Sequence, residues 1–171
     1  MPQVSKQRKN RHFSLRYVLN NAAAFALGSG AAPRLYIAKG ALCYAPAPMN
    51  ILLVEDSDEV SCITVEYLQE LGHRVVAVAE AEIAIVRLKN EIFDAVMTDI
   101  HLPGMSGLEL ARSLVRDYPN LPVVIASGYG AVNVEFLLGE KQRTVLMLPK
   151  PYDLPDLERT LNQAAAIIQG A

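Results

Sequence analysis

Cysteine is scarce in this 171-residue chain. The two residues present, Cys43 and Cys62, match no metal-binding or redox spacing. A disulfide scaffold and a thiolate metal site are therefore excluded, and both are expected as free thiols in a reducing compartment. Long apolar runs are also missing, which excludes a membrane-spanning helix. Acid is absent from residues 1–48, which carry seven basic groups: Lys6, Arg8, Lys9, Arg11, Arg16, Arg34 and Lys39. Base is correspondingly sparse afterwards. Nine of the 16 Lys and Arg stand against all 18 acids in residues 49–171, a net of −9 behind the overall −2. That stretch lacks the basic stripe a nucleic-acid surface needs to neutralise phosphates. No internal repeat is present.

What is there divides into two parts. Residues 1–48 begin basic, pass through Tyr17-Val18-Leu19 and Asn20-Asn21, and run into a small-residue stretch from Ala22 to Ala32. This loosely mimics a signal or transit peptide, but the apolar centre is interrupted and rich in Ala and Gly. Ala45-Pro46-Ala47-Pro48 reads as a stiff linker, and Met49 follows. Residues 1–48 are expected as a disordered or weakly helical extension, not made at all if translation starts at Met49. Residues 49–171 form the folded domain, and a chain 51% apolar has enough for its core.

From Asn50 onward strands and helices alternate. Ile51–Val54, Val75–Val78, Ala95–Thr98, Val123–Ala126 and Val145–Leu148 are the apolar strands. Between them Val60, Ile63, Tyr67, Leu68 and Leu71 recur at helical spacing, with Gly72 as the stop. Residues 81–90 form a second helix, Leu108 to Val115 mark a third, and residues 132–138 a short fourth. Leu154, Leu157, Leu161, Ala164, Ala165 and Ile168 mark the last, with Asp153 as its N-cap. Five strands alternating with five helices imply an α/β fold, a parallel sheet covered on both faces, with every strand ending on one edge.

That edge collects the chemistry. Asp99 ends one strand, Glu55 and Asp56 follow another, and Ser127 and Lys150 follow two more. In open α/β sheets ligands bind beyond these strand ends. Three carboxylates repel one another unless a cation lies between them, and hard oxygen ligands suit Mg²⁺. Lys150 adds a positive point charge and Ser127 a hydroxyl donor, so an aspartate held there can form an acyl phosphate. Lys150 precedes Pro151, a bond able to be cis. His101 is not expected as a side-chain ligand. His73 is read as a surface residue between helix and strand, Met97 and Met105 as packing groups, and Pro103 and Gly104 as shaping the loop after Asp99.

The segments ILLVEDS, MTDIHLPGMSG, VVIASGYG and LMLPKPY, in this order and at these strand ends, resemble the receiver domain of two-component response regulators over residues 50–169. The resemblance implies a flavodoxin-like, doubly wound five-stranded parallel sheet of order 2-1-3-4-5. It implies that Asp99 accepts a phosphoryl group from a sensor histidine kinase or a histidine phosphotransfer protein. Asp56, Asp99 and the backbone carbonyl of His101 would ligate Mg²⁺, with Glu55 acting nearby through water. Lys150 would pair with Asp99 or its phosphate, Ser127 would turn to a phosphoryl oxygen, and Gly128 would leave room for phosphate and water. His101 and Tyr129 stand where the family tunes loss of the phosphate.

One position departs from the pattern: Met147 stands where receivers often have an aromatic ring that turns inward on activation. A flexible thioether can fill the same gap. The expected function is a stand-alone, cytoplasmic switch whose output is a contact with a downstream target protein, with no nucleic acid or membrane partner. The face of the fourth helix, fifth strand and fifth helix would serve for output or homodimerisation. The resemblance implies no conventional enzyme but a protein expected to catalyse its own phosphoryl transfer to Asp99 and a slow autodephosphorylation. The alternative on the same fold is a phosphate shuttle or sink in a phosphorelay. An aspartate-nucleophile phosphatase fits less well, because that class carries an acid two residues after the nucleophile and His101 stands there.

Overall fold

A computed structural model describes residues 35–38, 41–44, 47–128 and 143–170. Within the stretch expected as a disordered or weakly helical extension, β1 (Leu35–Ala38) pairs antiparallel with β2 (Ala41–Tyr44), Leu35 opposite Tyr44 and Ala38 opposite Ala41. Both segments carry aromatic or aliphatic residues suited to strands, separated by two residues, a pattern that signals a hairpin.

The main sheet comprises β3 (Asn50–Val54), β4 (Arg74–Val78), β5 (Ala95–Asp99), β6 (Val123–Ser127) and β7 (Val145–Pro149). Its order is β4-β3-β5-β6-β7 and every neighbouring pair is parallel. Counted from its own first strand this is the expected 2-1-3-4-5. Four helices are described: α1 (Asp58–Glu70), α2 (Ala81–Asn90), α3 (Gly107–Asp117) and α4 (Leu154–Gln169). The helix expected at residues 132–138 and the residue Tyr129 lie outside the described residues.

Strand alternation sends side chains to two cores. Ile51 and Leu53 pack with Leu68 of α1 and with Leu157 and Leu161 of α4. Leu52 and Val54 point the other way, onto Ala84 and Leu88 of α2 and onto Leu110 and Leu114 of α3. A strand buried on both sides is apolar along most of its length, which is why Ile51–Val54 and Val123–Ala126 read as continuous runs. Each such fully buried Leu or Ile contributes about 1.5–3 kcal/mol.

Side chains also mark the helix starts. Ser57 caps α1, accepting from the Val60 N–H, and Ser106 with Glu109 closes a capping box on α3. Asp153, the expected cap of α4, closes another with Asp156. After α1 the chain turns at Gly72, whose φ of +90° suits glycine.

His73 is not on the surface. It is buried at 5% exposure, and its Nδ1 accepts the Met49 N–H at 3.1 Å. Burial holds its pKa below the ordinary value. The short turn after Gly72 feeds directly into β4, carrying the imidazole against the start of β3. Met97 is buried and Met105 packs on the second core, as expected. Cys62 is a free, exposed thiol. Among the described residues no helix is long and apolar enough to cross a membrane.

Candidate functional site

Strand register brings the polar residues together. Val54 lies level with Thr98, Asp99 with Ala126, and Ser127 with Pro149. Glu55, Asp56, Asp99, Ser127 and Lys150 therefore stand at one edge of the sheet. Glu55 and Ser127 are buried, Asp99 is 9% exposed, Lys150 is half-buried, and Asp56 faces solvent.

Lys150 is the hub. Its Nζ lies 2.9 Å from Glu55 Oε2 and 2.9 Å from Asp99 Oδ1. Burial alone would lower the lysine pKa, but hydrogen bonds to Asp99 and Glu55, helped by their charges, outweigh it and raise the pKa. The Lys150 N–H donates to the Ser127 carbonyl at 2.7 Å, tying the β7 end to the β6 end. The Lys150–Pro151 bond is cis. Next to it the Tyr152 hydroxyl and Thr64 Oγ1 lie 2.9 Å apart, which joins this loop to α1. Burial raises the Tyr152 pKa.

Asp99 is held at both oxygens. Oδ1 meets Lys150, and Oδ2 accepts the His101 N–H at 2.9 Å. Oxygens of Glu55, Asp56 and Asp99 all lie within 4.8 Å of one another. Three carboxylates against one ammonium leave an excess of negative charge in a small volume. That donor set, hard oxygen with one member open to solvent, fits a divalent cation that keeps part of its water.

Several supporting residues escaped the sequence reading. Gly107 seats the first turn of α3 on β5: a Cβ there would lie 1.7 Å from the Asp99 carbonyl oxygen. The same carbonyl accepts from Thr98 Oγ1 at 2.9 Å. Gly104, expected only to shape the loop, has a φ of +71°, and the next residue, Met105, donates its N–H to Glu82 Oε1 on α2 at 3.0 Å. A glycine beside a helix start was the one local signal of these contacts. Among the described residues, nothing lies within 4 Å of a Cβ built on Gly128. Met147 is half-buried and packs against the second core.

Residues 51–162 match the family model described as the response regulator receiver domain. The chain is 37% identical over 106 residues to the response regulator protein FleR of Pseudomonas aeruginosa, covering 61% of this chain and 22% of FleR. It is 34% identical over 108 residues to the response regulator receiver protein CpdR of Brucella abortus, covering 63% of this chain and 89% of CpdR. The crystal structure of a response regulator receiver protein from Sinorhizobium medicae superposes with a TM-score of 0.62 at 28% identity, over 70% of this chain and 95% of that one. The chain thus spans most of CpdR but well under two thirds of FleR.

Proposed function

The chain belongs to the response regulator receiver family, and from that premise we propose that it is a phosphorylation-dependent switch with Asp99 as the acceptor. An Asp99 oxygen attacks the phosphorus of a phosphohistidine on a sensor histidine kinase or histidine phosphotransfer protein. The P–N bond breaks, its electron pair leaves with the imidazole, and an acyl phosphate remains on Asp99. Support comes above all from Lys150, whose Nζ stands 2.9 Å from both Glu55 and Asp99 at the strand ends. A fixed ammonium there can follow the negative charge as it moves onto the phosphoryl oxygens.

Asp56, Asp99 and the His101 carbonyl would hold Mg²⁺, with Glu55 nearby. A cation bound there would supply charge neutralisation at the phosphoryl group. Ser127 donates its hydroxyl to the same group, and Gly128, having no side chain, leaves room for phosphate and then water. Slow hydrolysis returns Asp99 to its free form. The receiver unit runs from Met49, whose side chain is already buried. It acts in the cytoplasm, and its phosphoform is read by contact with a target protein.

Incubation with a small phosphodonor and Mg²⁺, followed by intact-mass measurement, tests the assignment. The wild type gains one phosphoryl group and Asp99→Asn gains none. An equally labelled Asp99→Asn protein would refute it.

A further inference from the structure

We infer that Glu82 is a positioning residue for the metal-binding loop, holding the Gly104–Met105 turn of the β5–α3 connection so that the His101 carbonyl stays presented to the cation. This rests on the reading of the site given above. Glu82 lies in the first turn of α2, outside the carboxylate cluster. Its Oε1 accepts the Met105 N–H at 3.0 Å. The same oxygen would lie 2.8 Å from a Cβ built on Gly104, so the carboxylate fills the space over a residue whose φ is +71°. Glycine and glutamate fit together there: one leaves the gap and the other occupies it.

The other tethers described for this loop are local. The His101 N–H goes to Asp99 Oδ2, the Gly107 N–H to the Ile100 carbonyl, and Ser106 to Glu109 three residues on. They fix the two feet of the loop. Glu82 reaches Met105, beside the Gly104 turn, from 23 residues away and from another helix. A carbonyl binds a metal more tightly when its peptide plane is already held, because a freely rotating one must be ordered at the moment of binding. Outer partners that orient metal ligands typically contribute 10–100-fold in affinity, and Glu82, acting through several bonds of backbone, is assigned the lower end of that range.

Two bland roles compete with this one. A glutamate in a first helical turn favours the helix dipole, and a negative charge near the cleft attracts any cation at long range. Three variants of the full chain separate the roles. Glu82→Ala removes the acceptor, Glu82→Gln keeps it without charge, and Glu82→Asp keeps the charge on an arm too short to reach Met105. Mg²⁺ titration followed by amide NMR, with hydrogen exchange at the Met105 N–H in metal-free protein, is the measurement. Positioning predicts roughly tenfold weaker Mg²⁺ binding in Glu82→Ala and Glu82→Asp, faster Met105 exchange in both, and recovery of both readings in Glu82→Gln. Equal affinity in wild type and Glu82→Ala would overturn the role of Glu82 while leaving the site intact. Equal weakening in Glu82→Gln and Glu82→Ala would overturn it in favour of plain charge. A wild type that binds no Mg²⁺ would overturn the functional reading and Glu82 with it.

Discussion

Asp56→Asn is expected to stabilise the metal-free protein while abolishing its response to Mg²⁺. Asp56 is the exposed member of the cluster, and its oxygen lies within 4.8 Å of both other carboxylates. Two like charges at that separation in a medium as polar as water repel by just under 1 kcal/mol (~0.9 kcal/mol), so Asp56 meets two such terms. Salt screening and the Lys150 ammonium reduce the sum to about 1 kcal/mol. The isosteric amide removes the repulsion and leaves the Lys150 bonds to Glu55 and Asp99 in place. In chelator the variant should therefore unfold about 1 kcal/mol later in urea, roughly 3–5 °C higher in melting for a domain of this size. Added Mg²⁺ reverses the order. A ligand at 100 times its Kd stabilises by about 2.7 kcal/mol, and only the wild type, with all its ligands, gains it. Urea denaturation of both proteins with chelator and with Mg²⁺ is the assay. A variant less stable than wild type in chelator would refute the electrostatic account, and a variant stabilised by Mg²⁺ as much as wild type would refute the ligand assignment.

Two further outcomes follow from buried groups. His73 is held neutral by burial with its pKa depressed, so the native state binds fewer protons than the unfolded chain below about pH 6.5, the ordinary histidine value. Its contribution is complete above that pH and is lost as pH falls from there through the folded pKa; urea midpoints should drop across this window in wild type and much less in His73→Gln, and parallel curves would contradict the assignment. Gly107→Ala should cost about 3 kcal/mol and impair phosphoryl labelling, since its Cβ would strike the Asp99 carbonyl, whereas Gly128→Ala should stay within about 0.5 kcal/mol of wild type; similar denaturation curves for both would show that the close seating of α3 on β5 is unimportant.

Much of the fold was legible because its causes are local. Strands buried on both faces need unbroken apolar runs, and Ile51–Val54 and Val123–Ala126 show them plainly. A side-chain acceptor at a helix start is a local signal, which made Asp153 readable as a cap. The hairpin at Leu35–Ala38 and Ala41–Tyr44 was passed over because its Ala, Lys and Gly neighbours diluted the strand signal within a basic segment. His73 was misplaced because a lone polar residue after a glycine turn looks exposed; the tight turn into β4 buries it instead.

By itself the sequence determined the alternation of strands and helices, the chemical kinds at the strand ends and the order in which they occur, since each depends on neighbours a few residues apart. Only the tertiary structure decided that Lys150 bridges Glu55 and Asp99, that the Asp99 carbonyl lies against Gly107, and that Glu82 reaches Met105. Lys150 and Glu55 are 95 residues apart, Glu82 and Met105 23. Separations of that size leave no mark on local periodicity. The Lys150 contacts are set by strand register, which carries residues remote in the chain to one edge of one sheet, and the Glu82 contact by where the helix after β4 lands beside the loop after β5.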